Sequence, residues 1–194
     1  MALASDTRGV SGRGKEEEQA EQLLQPWVKF DVAQHEVNMH RLALDNKVPC
    51  PRILEWVPAS SGGTGSDPAS YSHTPSRLTM QRLPGTTAWN FWTDPADPRL
   101  QDESLTHQQR FLIESEHVPA HVYAKVREMV AHMVDVAGLD FPDLTGFNVM
   151  VDEAGQAAWI IDFEHAQPVG GRAECCEFIQ AFLGGRDGWN ADFA

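Results

Sequence analysis

The sequence predicts an α+β fold in which a strand-rich first half carrying one helix gives way to a mainly helical second half. Three observations support this. Short apolar runs recur early, at Trp27-Val28-Lys29-Phe30, Arg52 to Val57 and Leu78 to Leu83. Val122, Val126, Met129, Val130, Met133 and Val134 then repeat at helical spacing. Beyond them, two further apolar runs face each other across the turn Asp152-Glu153-Ala154-Gly155. With 194 residues and 42% hydrophobic content, the chain is long enough for one sizeable core, or one core split between two lobes.

Charge and cysteine content narrow the class. A net charge of −13 disfavours nucleic acid or an anionic membrane as the main partner, because both select for clustered Lys and Arg. An anionic substrate would need a local positive site or a metal. Cys50 and the adjacent Cys175 and Cys176 form no disulfide framework, and an odd count suits a reducing compartment. The first residues lack an apolar stretch of signal-peptide length, and nowhere do about 18 apolar residues run together. The expectation is a soluble, intracellular, cytoplasmic protein.

Taken in order, residues 1–25 read as a tail: small, polar and Gly-rich to residue 14, then a polar run suited to a short helix. The strand at 27–30 follows, and Asp31 is expected to cap a helix running to about Asn46. On that helix Val32, Glu36, Met39 and Ala43 share a face, so the Glu36 carboxylate needs a partner. Val48-Pro49-Cys50-Pro51 cannot continue the helix and leads into the strand at 52–57. SSGGTGSDPASYSH has the composition of an exposed flexible insertion. After the strand at 78–83, the Trp-, Pro- and Asp-rich stretch 86–102 suggests an irregular lobe-to-lobe crossing packed by Trp89, Phe91 and Trp92.

Helices are expected at Ser104 to Glu116 and Pro119 to Ala137, the second with Pro at its start and Gly138 just past its end. A loop through Phe147, strands at Val149 to Val151 and Ala158 to Phe163, and a helix at about Ala173 to Leu183 complete the chain. No internal repeat is present.

The chemistry concentrates in LDFPDLTGFNVMVDEAGQAAWIIDFEHA, where Asp143 precedes Asn148 by five residues and Asp162 follows Asn148 by fourteen across a hairpin. Phosphoryl transfer from ATP needs a carboxylate to orient the attacking hydroxyl and accept its proton. It also needs oxygen ligands for Mg²⁺ on the phosphates, and these three residues can supply that set. In isolation, Asp143 and Asn148 fit better a turn whose side chains cap backbone groups. An Asp ending the apolar strand AWIID has fewer structural reasons to be there.

This segment resembles protein kinases and, more closely, the aminoglycoside phosphotransferase and choline kinase superfamily. DLTGFN stands where such enzymes have a catalytic Asp and a metal-binding Asn, and IIDFEHA where they have a strand ending in a metal-binding Asp. Glu164 looks like the choline-kinase variant of the position that is Gly in protein kinases. The resemblance implies Asp143 as base and Asn148, Asp162 and Glu164 on the metal, with Lys29 on the nucleotide phosphates and Glu36 as its ion-pair partner. It also implies ATP and Mg²⁺ as cofactors. The implied fold is a two-lobed kinase-like α+β fold with a reduced N-lobe of about three strands and one helix (26–85), a linker (86–103) and a short, mainly helical C-lobe (104–194). It resembles short stand-alone kinase-like proteins of fungi.

The sequence departs from that family in several places. No glycine-rich strand-turn-strand precedes Lys29, because GVSGRG at 9–14 lies in the tail. Phe141 replaces the His expected two residues before the catalytic Asp, so support for that loop must come from elsewhere. DLTGFN carries no Lys or Arg. Three functions therefore stay open: an ATP- and Mg²⁺-dependent phosphotransferase acting on a hydroxyl, a pseudokinase that binds nucleotide or a protein partner, and one half of a site completed by another chain. The acceptor, a protein hydroxyl or a small molecule, is open too. Lys29 also fits a snorkelling strand lysine and Glu36 a solvated carboxylate. Of the eight histidines, His35, His40, His117 and His121 complete no zinc pattern and are expected at the surface. The adjacent cysteines are expected to pack on the last helix.

Overall fold

The computed structural model describes residues 25–62, 72–92 and 96–193. The tail assigned to 1–25 lies almost entirely outside these residues, as does the centre of the Gly/Ser-rich insertion. The flanks of that insertion pair as strands β3 (Ser60–Gly62) and β4 (Ser72–Thr74).

The first lobe is a three-stranded antiparallel sheet with one helix. Strands β1 (Trp27–Phe30), β2 (Ile53–Val57) and β5 (Arg77–Met80) lie in the order β1-β5-β2, and Lys29 sits opposite Leu78. Helix α1 (Gln34–Asp45) buries Glu36, Val37, Met39, His40 and Ala43, with Val37 packing beside Val32 and Leu78. Asp31 does not cap it. The N-cap is Ala33, and Asp31 takes φ 56°, a left-handed conformation that Asp tolerates better than most residues. Its amide donates to the Ser76 carbonyl at 3.0 Å, and the Ser76 hydroxyl donates to the Val32 carbonyl at 2.7 Å. The turn is therefore held by the sheet, a partner that local reading could not supply.

The crossing is more regular than its composition suggests. Strand β6 (Thr86–Thr87) adds to the hairpin formed by residues 149–160, and α2 (Ala88–Trp92) follows directly. Gly85 makes this junction possible. It has φ 93°, and a Cβ there would lie 1.9 Å from the Val151 carbonyl oxygen.

Helix α3 (His107–Ser115) begins later than expected because Thr106 and Gln109 form a reciprocal capping box. Helix α4 (Ala120–Asp135) runs through the main core and buries the residues that its periodicity selects. Strands β8 (Val149–Val151) and β9 (Ala158–Ile160) form the hairpin, in sheet order β6-β8-β9. Strands β7 (Leu139–Asp140) and β10 (Gln167–Pro168) bracket the segment between them in sequence. The last helix, α5 (Glu177–Leu183), is shorter than expected, with a 3₁₀ turn at Arg172–Glu174 and both cysteines in the connection. This is an α+β arrangement in which a three-stranded sheet, the β3–β4 hairpin and one helix precede a mainly helical second half. Among the described residues, no helix is long and apolar enough to cross a membrane.

Candidate functional site

The hairpin register explains the fourteen-residue spacing. Val149 pairs with Ile160, and the Ile161 amide donates to the Asn148 carbonyl at 2.9 Å, so Asn148 and Asp162 end adjacent strands side by side. Asp162 has φ 62°, a conformation that costs a non-glycine residue energy and persists only where its surroundings hold it. The restraint comes from the next residue: Phe163 is fully buried, stacked on His40 at 4.7 Å and tilted against Phe141 at 5.9 Å.

Asp143 occupies the turn between β7 and β8. The Thr145 amide donates to its carbonyl at 3.0 Å, and the Asn148 side-chain amide donates to the same oxygen at 3.2 Å. With the Asn148 nitrogen so engaged, its Oδ1 is left as the free acceptor. The Asp143 carboxyl is pushed up to about 6. Burial is the main cause; Asp162 and Glu164 add to it, while His165 and the Asn148 hydrogen bond oppose it.

Lys29 reaches this group from the other lobe. Its Nζ donates to Asp162 Oδ1 at 2.8 Å and to Glu36 Oε1 at 2.9 Å, and lies 4.0 Å from Glu164 Oε2. Glu36 thus finds the partner its buried position demands. Burial alone would lower the Lys29 pKa, but the hydrogen bonds to Asp162 and Glu36 outweigh it and the net shift is upward. Glu36 is itself raised, by burial above all, with Lys29 opposing. Side-chain oxygens of Glu36, Asp162 and Glu164 lie within 4.8 Å of one another. This all-oxygen, carboxylate-rich set suits a hard cation such as Mg²⁺ and lacks the sulfur and imidazole donors typical of zinc. The Glu36 side chain is buried, whereas those of Asp162 and Glu164 are open to solvent and so are the donors better placed to take one.

The structure therefore brings together all six residues singled out from sequence: Lys29, Glu36, Asp143, Asn148, Asp162 and Glu164. It also adds residues that the sequence did not reveal. His40 is not a surface residue: it is 2% exposed, and its Nε2 lies 2.6 Å from the Pro51 carbonyl, so the nitrogen acts as the donor. Burial lowers its pKa to about 4, which keeps it neutral. His35 Nε2 meets the Ala166 carbonyl at 2.8 Å, and His117 pairs with Asp97 at 2.9 Å. Fully buried Asp140 accepts from the Phe141 and Cys176 amides and from the Gln167 side chain, tying the start of the loop to the lobe beneath. Burial raises the thiols of Cys50 to about 12 and Cys175 to about 11, which fits packing residues rather than nucleophiles. The Trp89 amide donates to the Gly146 carbonyl at 2.9 Å, and its ring stacks on Phe147 and Phe111. No periodicity marks Asp140 or His40, because each earns its place through contacts between distant segments.

No protein-family model matches this sequence. No curated protein matches it either. Among solved structures, the chain is similar to the kinase PK-1 of Cydia pomonella granulovirus, with TM-score 0.45 and 12% identity over 81% of this chain. It is also similar to WaaP, solved in complex with acyl carrier protein, with TM-score 0.46 and 19% identity over 81% of this chain. The chain covers 58% of the length of each.

Proposed function

We propose that this protein is an ATP- and Mg²⁺-dependent phosphotransferase acting on a hydroxyl acceptor, of the aminoglycoside phosphotransferase and choline kinase type that Glu164 suggests. The observation that carries this reading is the convergence of Lys29, Asp143, Asn148 and Asp162 from separate segments onto one end of the β8–β9 hairpin. Asp143 is the group to receive the acceptor hydroxyl's proton. A carboxyl near 6 is largely ionised at neutral pH yet more basic than an ordinary aspartate, which suits a general base. Asp162, Glu164 and Asn148 Oδ1 would hold the cation. Bound there, Mg²⁺ would supply positive charge to neutralise the nucleotide phosphates.

Electrostatics explains why the metal is required. Glu36, Asp162 and Glu164 surround Lys29, and the Asp143 carboxylate lies within electrostatic range of Asp162 and Glu164, so a free nucleotide polyanion would be repelled. Lys29 serves two partners in this arrangement. Glu36 keeps its stem in place, and release of its second bond, to Asp162, frees the ammonium for phosphate and the carboxylate for the cation.

A second reading, a catalytically silent scaffold, draws on that same Lys29–Asp162 contact, which closes the phosphate side of the site. Titration of Mg²⁺-ATP while following thermal stability separates the two. Occupancy at a hundredfold excess over Kd adds about 2.7 kcal/mol to the folded state. The phosphotransferase reading expects a rise that requires Mg²⁺ and is lost in Asp162→Asn, together with phosphotransfer lost in Asp143→Ala. An Asp143→Ala variant as active as wild type would overturn the assignment.

A further inference from the structure

We infer that Asn190 is a positioning residue for the Asp143 loop, acting on both sides of the base at once. Asn190 is 4% exposed. Its Nδ2 donates to the Pro142 carbonyl at 2.6 Å, and its own backbone amide donates to the Leu144 carbonyl at 2.9 Å. The residues immediately before and after Asp143 are therefore gripped by one side chain and its backbone. The remaining Asn190 oxygen accepts from the Asp192 amide at 3.2 Å, which fixes the amide's orientation.

Neighbouring contacts reinforce this grip. The Trp189 indole closes on Gly146, where a Cβ would lie 3.1 Å from Nε1, and its other side packs on Tyr123 at 5.0 Å. Arg127 on α4 donates to the carbonyls of Phe182 at 2.6 Å and Arg186 at 3.0 Å, anchoring the segment that delivers Trp189 and Asn190. Phe141 cannot hydrogen-bond the loop through its side chain, and Asp140 holds only the loop's beginning. Asn190 supplies the support at its centre.

An amide is specifically required. It must donate toward Pro142 and accept from Asp192 in one plane, whereas the isosteric carboxylate of Asn190→Asp would turn an acceptor toward a carbonyl. Asn190 touches neither Lys29 nor Asp162 in the structure, so its removal should act first on the loop that carries Asp143 and Asn148.

The test combines hydrogen exchange with kinetics on the full chain carrying Asn190→Ala or Asn190→Asp, with Val37→Ala in the separate core beneath the first sheet as a destabilisation remote from the loop. The amides of Thr145 and Asn148, bonded within the loop, should exchange at least about tenfold faster in both Asn190 variants and at an unchanged rate relative to global unfolding in the control. The kinetic expectation rests on the phosphotransfer reading: kcat at saturating Mg²⁺-ATP falls at least about tenfold. Unchanged loop exchange, or an undiminished kcat at saturating Mg²⁺-ATP, would each overturn the role of Asn190. A wild-type protein without turnover would instead count against the phosphotransfer reading, and the exchange comparison would still decide whether Asn190 holds the loop.

Discussion

Replacing Asp143 by Asn should stabilise the metal-free protein at neutral pH, and the gain should vanish in acid. The Asp143 carboxyl moves from 3.8 in the unfolded chain to about 6 in the folded one, chiefly through burial. Below the lower value both states are protonated and the carboxyl resembles the amide. Between the two, the unfolded chain has lost the proton that the folded one keeps, so wild-type stability falls relative to the variant as pH rises. Above about 6 both states are ionised, and the folded protein carries the full penalty of a poorly solvated charge. At about 1.36 kcal/mol per pH unit the shift corresponds to about 3 kcal/mol, and solvent screening of a partly exposed group reduces the expectation to about 1–3 kcal/mol. For a chain of this size that is about 2–12 °C in Tm. Denaturation of both proteins in chelator from pH 4 to 8 measures the effect, because a bound cation would hold the carboxylate charged. A stability gap that opens between pH 4 and 6 and then levels off is expected. A gap independent of pH, or one that closes as pH rises, would refute the reasoning that burial sets the basicity of Asp143.

Lys29→Met leaves Glu36 buried without its partner and should cost about 1–3 kcal/mol at neutral pH. Adding Glu36→Gln should recover part of that loss, giving a double-mutant coupling above about 0.5 kcal/mol in urea unfolding, whereas additive losses would mean that the pair contributes no mutual stabilisation. Gly85→Ala should destabilise by about 2 kcal/mol or more, since its Cβ would meet the Val151 carbonyl in a left-handed conformation. Gly185→Ala has a similarly positive φ of 108° but nothing within 4 Å of the added carbon, so it isolates the backbone term and should cost less in the same measurement.

Much of the site was legible because its spacings follow from local rules. A hairpin has a fixed register, so an Asn and an Asp fourteen residues apart around a DEAG turn must finish side by side. A glutamate on the apolar face of a helix needs a partner, and the resemblance to kinases implied Lys29, with which it pairs at 2.9 Å. Helix α4 was equally readable, since its apolar residues keep helical spacing over four turns.

Other features came from tertiary structure alone. Asp31 satisfies every local criterion of a helix cap, yet the sheet offers its amide the Ser76 carbonyl and the helix starts later. The Trp-rich crossing reads as irregular because Thr86 and Thr87 have no strand pattern of their own and pair only because β8 is already there. His40, Asp140 and Asn190 leave no periodic trace, because a buried polar residue is identified by partners that folding brings from elsewhere. Sequence alone determined which residues could carry the chemistry, since residue type and short-range spacing are local properties. Tertiary structure decided how Lys29 is shared between Glu36 and Asp162, how basic Asp143 becomes and what holds its loop, because burial and long-range hydrogen bonds exist only once distant segments have met.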